Sequence, residues 1–262
     1  MKPVINLARY PLDREGSADW NALVARSKAE LAETGMFNLE EFVLADVARQ
    51  AASEVAPIME SQSYTHKRLH NIYFKPEIPE LAPDHPALRK VETTNRTVCA
   101  DQLTGSLVVA LYEYPPLARF LAATMDKPAL YTMQDPLARA NVMAYREGEA
   151  LNWHFDRAEF TTTLLLQAPE GGGEFEYRTD LRSANNPNYD GVATMLEGRD
   201  PQVQRMRLKA GTLNVFRGKN TAHRVTPVQG GVNRMIAVFS YFEQPDVQFS
   251  AQERMGFYGR AA

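Results

Sequence analysis

Short apolar runs separated by turn residues fill the second half of the chain, a pattern typical of antiparallel β-sheets. Eight runs follow one another: 140–145, 153–155, 160–167, 174–177, 206–208, 212–216, 223–228 and 234–242. They predict a sandwich or jelly roll and not alternating βαβ units. We therefore expect a mainly β protein with flanking α-helices, with a cupin-like double-stranded β-helix at residues 131–245.

The first half has a helical pattern. Ser17 is a predicted N-cap, Gly35 ends the first helix, and a second helix is expected from Asn38 to about Pro57. Further helical segments are predicted at 103–112 and 117–125, with one strand at 70–74. We expect residues 1–130 to form a helical part outside the β-helix, within one domain spanning 1–262.

A polar insert interrupts the predicted strands at residues 178–205 and is rich in Asn, Asp and Gly. Excursions of this length inside a compact domain are usually functional. The insert is therefore predicted to be a lid over a pocket.

Composition narrows the function classes only modestly. A net charge of −3 without a run of Lys or Arg gives no argument for nucleic acid or a membrane surface as a partner. Cys99 is the only cysteine, which is compatible with a reducing compartment, and the N-terminal segment does not resemble a signal or a membrane span. A cytoplasmic protein acting on a small molecule is expected, with the oligomeric state left open.

Candidate metal chemistry begins at His154 and Asp156. In a strand, residues two apart point to the same face, so this H-x-D can present an imidazole and a carboxylate to one metal ion. Two histidines and one carboxylate form the facial triad of non-haem Fe(II) oxygenases. Alone the motif is weak, because 5 His and 32 acidic residues produce such spacings readily by chance.

Two downstream residues strengthen the assignment. His223 lies in a predicted strand, and Arg234 begins the strongly apolar segment 234–242. A buried guanidinium needs an anionic partner because an unpaired buried charge is costly. The distal carboxylate of 2-oxoglutarate suits its planar fork, although a protein carboxylate is the simpler alternative.

Several motifs follow one another along the second half of the chain: the segment from Tyr145 through Gly148 to His154 and Asp156, the glycines 171–173, the segment 211–216, His223 with Pro227, and Arg234. This ordered set resembles the Fe(II)/2-oxoglutarate-dependent dioxygenase superfamily, in its core the prolyl-hydroxylase branch. The wider layout is similar to the carrier-independent amino-acid halogenases that chlorinate free lysine and to their hydroxylase relatives.

The resemblance implies Fe(II) on His154, Asp156 and His223, and 2-oxoglutarate on Arg234. Tyr145 and Thr162 are further candidate contacts to the cosubstrate. In the halogenases a small residue replaces the carboxylate and frees a metal position for chloride. Because Asp156 is retained here, we expect hydroxylation and not halogenation.

Substrate contacts are predicted less directly. Arg68 and His70 are candidates to hold a substrate carboxylate, although a surface or core role is the simpler interpretation for His70, as for His66. Trp153 either lines the pocket or belongs to the core. Arg157 either binds an anionic group or is a solvated charge.

Four functions remain open at this stage. The leading one is hydroxylation of an unactivated C–H bond in a free amino acid. The others are the same chemistry on a protein side chain or another macromolecule, halogenation, and a cupin-like barrel that binds metal or ligand without catalysis.

Overall fold

In the computed structural model, which describes residues 4–262, two antiparallel sheets face each other and helices cover the larger one. Residues 1–3 of the N-terminal segment interpreted above lie outside the described part. The helices are α1 Ala18–Thr34, α2 Ala45–Gln62, α3 Leu107–Tyr112, α4 Pro115–Thr124, α5 Tyr189–Leu196 and α6 Ala251–Tyr258. The strands are β1 Met36–Leu39, β2 Tyr64–His70, β3 Val91–Val98, β4 Tyr131–Thr132, β5 Ala140–Tyr145, β6 Leu151–His154, β7 Thr161–Gln167, β8 Gly171–Gly172, β9 Phe175–Arg178, β10 Gln204–Met206, β11 Leu213–Phe216, β12 Ala222–Val225, β13 Val228–Gln229, β14 Arg234–Phe239 and β15 Tyr241–Phe242.

The larger sheet has seven strands in the order β1-β11-β7-β14-β5-β3-β2, and the smaller has four in the order β10-β9-β12-β6. This is the predicted double-stranded β-helix. The outer face of the larger sheet carries Leu164, Ala237 and Phe239, which pack with residues of α2, α3 and α4 in the main core. The inner faces meet where Phe175 of β9 contacts Phe216 of β11, with ring centroids 5.2 Å apart.

The helix boundaries agree with local sequence signals at some ends and not at others. Ser17 caps α1 as predicted, since its hydroxyl accepts a hydrogen bond from the Trp20 amide, and Gly35 ends it in the left-handed conformation at φ 76°. The expected helix start at Asn38 is wrong. Residues 36–39 instead form β1, which pairs with β11, and α2 continues past Pro57 to Gln62.

The N-terminal part is not wholly helical, because it supplies three strands to the larger sheet. The predicted strand 70–74 is wrong: β2 ends at His70 and a turn follows it. β3, α5 and α6 were not predicted. In residues 4–262 no helix is both long and apolar enough to cross a membrane.

Candidate metal centre

The three predicted metal ligands come together between the two sheets. His154 ends β6 and His223 lies on β12, and the two residues are paired directly across these strands. Asp156 follows two residues after His154, in the loop. Its carboxylate oxygens lie 3.4 Å from the Nε2 atoms of His154 and His223. One ligand atom from each residue lies within 4.8 Å of the others, so a single ion can be bound by all three.

Hydrogen bonds to the backbone orient both imidazoles. Nδ1 of His154 lies 2.8 Å from the carbonyl oxygen of Asn152, and Nδ1 of His223 lies 2.9 Å from that of Thr221. A carbonyl can only accept, so Nδ1 carries the proton in each ring. Nε2 is then the atom left to bind a metal, which is the usual arrangement of histidine ligands.

Asp156 is held by two neighbours that the sequence did not single out. The Thr161 hydroxyl donates to Oδ2 of Asp156 at 2.5 Å. The backbone amide of Asp156 donates to the Gly218 carbonyl at 3.0 Å. A Cβ at Gly218 would lie 2.3 Å from Asp156 Oδ2. Only glycine fits there, because any side chain would displace the carboxylate.

The charge states of the triad suit a cation. Burial lowers the pKa of His154, and the adjacent His223 lowers it further, so the ring is neutral. Burial alone would raise the pKa of Asp156, but His223 and His154 outweigh it and hold that pKa well below its usual range. An ionised Asp156 beside the neutral imidazole of His154 suits metal binding, which requires deprotonated ligands.

Arg234 is buried, with 2 % of its surface exposed, at the start of β14. Its Nε donates to the Gly173 carbonyl at 3.1 Å, whereas its Nη1 has no hydrogen-bond partner in residues 4–262. Burial lowers its pKa to about 10. Tyr145, directly across on β5, lies with its ring centroid 5.8 Å from the guanidinium carbon. An orphaned buried guanidinium points to an anionic ligand.

The side chains of three candidate contacts, Thr162, Trp153 and Arg157, point away from the metal centre. Thr162 pairs with Phe239, whose ring packs in the main core, so it faces the helices; Thr161, one residue earlier, faces the metal centre. Trp153 alternates with His154 and lies on the outer face of the smaller sheet, beneath Arg224 at 5.0 Å. Arg157 is exposed and pairs with Glu253 on α6 at 3.0 Å.

Arg68 and His70 lie near the centre, separated from it by Phe74. His70 is buried and bonded through both ring nitrogens, to the Asn71 carbonyl and to the Thr93 hydroxyl. Its ring stacks on that of Phe74 at 4.4 Å, and Phe74 lies 6.0 Å from His154. Sequence reasoning missed Phe74, since an aromatic residue in a turn carries no local signal for a site.

The insert 178–205 contributes another missed residue, Arg182. Its guanidinium carbon lies 3.9 Å from the Phe155 ring centroid, and its Nε donates to the Lys219 carbonyl at 2.8 Å. Burial lowers its pKa, and Asp156 acts in the opposite direction. The insert therefore places a cation beside the loop that carries Asp156.

A sequence model of the family "Halogenase D" matches residues 19–256. The chain belongs to the halogenase D family. This confirms the predicted relation to the halogenase branch of the Fe(II)/2-oxoglutarate oxygenases. No curated protein sequence matches the chain.

Solved structures share the fold at low identity. AviO1 from Streptomyces viridochromogenes Tue57 is 15% identical, with a TM-score of 0.57 over 86% of this chain and 96% of that one. A Pseudomonas putida prolyl-4-hydroxylase is 16% identical, with a TM-score of 0.51 over 82% and 97%. HygX from Streptomyces hygroscopicus is 12% identical, with a TM-score of 0.53 over 82% and 85%. These likenesses establish that this halogenase D family member has the oxygenase fold.

Proposed function

We propose that this protein is an Fe(II)- and 2-oxoglutarate-dependent hydroxylase that acts on an unactivated C–H bond of a small polar molecule, an amino acid. The observation that carries the proposal is the pairing of a His-Asp-His centre with the orphaned Nη1 of Arg234 inside one β-helix. The related HygX structure has nickel and 2-oxoglutarate bound. Enzyme class and cofactors thus agree with both family and fold.

The residues present fit both groups. The donor set of two imidazoles and one carboxylate is that of Fe(II) oxygenases, and it leaves metal positions open. Arg234 offers its unpaired N–H to the far carboxylate of 2-oxoglutarate, which suits a planar fork. When bound, iron and 2-oxoglutarate would supply the oxidising power to convert C–H to C–OH, with O2 consumed and CO2 and succinate released.

The chain's own residues then have separate tasks. His154, Asp156 and His223 would hold the metal, and the Thr161 hydroxyl fixes the carboxylate. Tyr145 stays protonated beside Arg234, because burial raises its pKa to about 12. Its ring and the surrounding apolar side chains keep water from the guanidinium and strengthen its attraction for a carboxylate.

Halogenation is the second candidate, because the family carries that name. The retained Asp156 favours hydroxylation, since its carboxylate fills the metal position that chloride would need. A small substrate is favoured over a macromolecule because the insert closes against the turn after β2. The Tyr73 hydroxyl donates to the Pro187 carbonyl at 2.6 Å, and its ring meets Tyr189 at 5.5 Å.

The decisive experiment adds Fe(II) and then 2-oxoglutarate without oxygen, and looks for the weak visible charge-transfer band of the chelate. We expect the band, and then succinate release that depends on substrate, in a screen of amino acids and their derivatives. Products are analysed by mass spectrometry with chloride present. A gain of one oxygen supports hydroxylation, a gain of chlorine supports the second candidate, and absence of the band contradicts both.

A further inference from the structure

A cavity of about 170 Å³ lies between the end of β2 and the turn that follows it, and the ring of Phe74 in its wall is 6.0 Å from the ring of His154. Its walls include Arg68 and His70 from β2, Phe74 and Lys75 from the turn, and Lys90 just before β3. We call it the β2 cavity. No acidic residue lines it, in a chain whose net charge is −3.

The cations of the β2 cavity lack partners. Within residues 4–262, no carboxylate oxygen lies within 4 Å of the charged nitrogens of Arg68, Lys75 or Lys90. Lys67, the residue before Arg68, is by contrast paired with Glu92 at 3.2 Å. All three side chains are exposed, and an anion in the cavity would be attracted to each of them.

Phe74 separates the β2 cavity from the metal ligands. One face of its ring stacks on His70, the Arg68 guanidinium carbon lies 4.7 Å from its centroid, and its distance to the His154 ring is 6.0 Å. Phe74 has φ +54°, a left-handed conformation that costs a bulky residue free energy. The ring is thus held in contact with both the cavity residues and the metal ligand His154.

Asn71 holds this conformation in place. Its side-chain amide donates to the Lys75 carbonyl at 2.5 Å, and its Oδ1 accepts from the amides of Tyr73 and Lys75, each at 3.2 Å. Its backbone carbonyl accepts from the Phe74 amide at 3.0 Å. A buried side chain with three bonds to one turn fixes the wall of the cavity.

We infer that the β2 cavity binds a dianionic oxyanion group of the substrate, a phosphate monoester, and that the hydroxylated amino acid carries this phosphate. The inference rests on the proposed function and names its substrate class. A phosphate carries close to two negative charges at neutral pH and accepts from several donors, which matches three unpaired cations. The cavity suits this phosphate better than the zwitterionic head of the amino acid, because no carboxylate in the cavity wall would receive the ammonium group.

The test titrates inorganic phosphate into protein loaded with Fe(II) and saturated with 2-oxoglutarate, so that Arg234 is already occupied. Calorimetry gives the affinity, and broadening of the ³¹P resonance by the iron reports that phosphate binds near it. Malonate is the parallel arm, which distinguishes a phosphate site from a general dicarboxylate site. We expect phosphate to bind more tightly than malonate.

Variants locate the binding. Arg68→Gln and Lys90→Gln are each expected to weaken phosphate binding about tenfold or more, as for loss of one charge-assisted hydrogen bond. Lys67→Gln, which removes a paired cation from the neighbouring position, should leave it within about twofold. Equal losses in all three variants, or no binding at millimolar phosphate, would overturn the inference.

Failure of this inference is distinguishable from failure of the proposed function. The charge-transfer band is recorded on the same preparations, and it does not depend on the β2 cavity. A normal band without phosphate binding contradicts only the inference, whereas a missing band contradicts the proposed function. Succinate release stimulated by phosphorylated amino acids, and lowered by Arg68→Gln, would support both; stimulation by unmodified lysine that Arg68→Gln leaves intact would contradict the substrate class.

Discussion

One side chain, Asp156, separates the two reactions considered for this family member. The Thr161 hydroxyl donates to its carboxylate, the Gly218 carbonyl accepts from its backbone amide, and Gly218 has no room for a Cβ. The residues around position 156 therefore accommodate a carboxylate in this orientation. This favours a metal centre in which the position is filled by protein and not by a halide.

Substituting Asp156 should abolish hydroxylation. In Asp156→Gly the metal loses one of three protein ligands, so we expect product formation to fall more than about a hundredfold, beyond the loss typical of outer-shell substitutions. Wild-type protein in saturating chloride should give only oxygen-containing product. Mass spectrometry of both reactions checks this, and chlorinated product from the wild type would contradict the role given to Asp156.

Arg234 is expected to determine 2-oxoglutarate affinity. Arg234→Lys keeps the charge but loses the planar fork, and we expect the dissociation constant to rise about tenfold or more. Titration of the anaerobic charge-transfer band measures it. Arg207→Ala is the control, since Arg207 is exposed and bonds to the Glu170 carbonyl. An unchanged constant in a folded Arg234→Lys protein would contradict the cosubstrate assignment.

At the scale of elements, the turn after β2 depends on Asn71. In Asn71→Ala the turn loses three side-chain hydrogen bonds while Phe74 keeps an unfavourable φ, so we expect about 2 kcal/mol lower stability. Hydrogen exchange of the amides at residues 73–75 should become faster. The affinity of Asn71→Ala for phosphate should fall, whereas its affinity for 2-oxoglutarate should not change, because Arg234 is on another strand. An equal fall in both affinities would contradict a positioning role for Asn71.

Strand prediction from the sequence was accurate for strands whose side chains alternate between apolar and polar, and for strands that are apolar throughout. β5 was predicted with its observed bounds, and β7, β9, β11 and β12 to within a few residues. Asn38 and Leu39 were taken for the start of a helix because β1 is short, and only the pairing of β1 with β11 makes it a strand. β2 was missed because its side chains are mostly exposed and polar, and the pairing with β3 supplies its stability.

For the whole molecule, buried Asp135 connects α6 to the core. Its carboxylate accepts from Arg254 of α6 at 2.8 Å and from the amides of Leu137, Ala138 and Phe249. Burial alone would raise its pKa, but these bonds hold the pKa below the usual value. The carboxylate is therefore ionised in the folded protein over the whole neutral range.

Replacing Asp135 should destabilise the protein in a pH-dependent way. Asp135→Asn leaves Arg254 without its partner, and we expect a loss of about 3 kcal/mol at pH 7. A depressed folded pKa stabilises above the unfolded value near 4 and loses that effect as pH falls toward the folded pKa. The difference from wild type in urea unfolding should therefore shrink below about pH 4. Exposed Asp84→Asn should change little, and a pH-independent difference would contradict this account.

The β2 cavity shows why some sites escape sequence analysis. Arg68, Lys75 and Lys90 are far enough apart along the chain that no basic run appears, and the net charge is negative. The cavity forms only because β2 pairs with β3 and the turn at Phe74 folds back. Its charge is a property of the packed structure.

The sequence by itself determined the fold class and the chemical identity of the metal centre. Both can be read from the unfolded chain. The fold class follows from the alternation of apolar and polar residues, and the metal centre from the order of His154, Asp156, His223 and Arg234 along the sequence. Tertiary structure decided which neighbours face inward. A shift of one residue in a strand reverses a side chain, so Thr161 and not Thr162 contacts Asp156. Tertiary structure also places Trp153 and Arg157 away from the metal centre, because the direction of a side chain depends on the pairing and burial of segments that are distant in sequence.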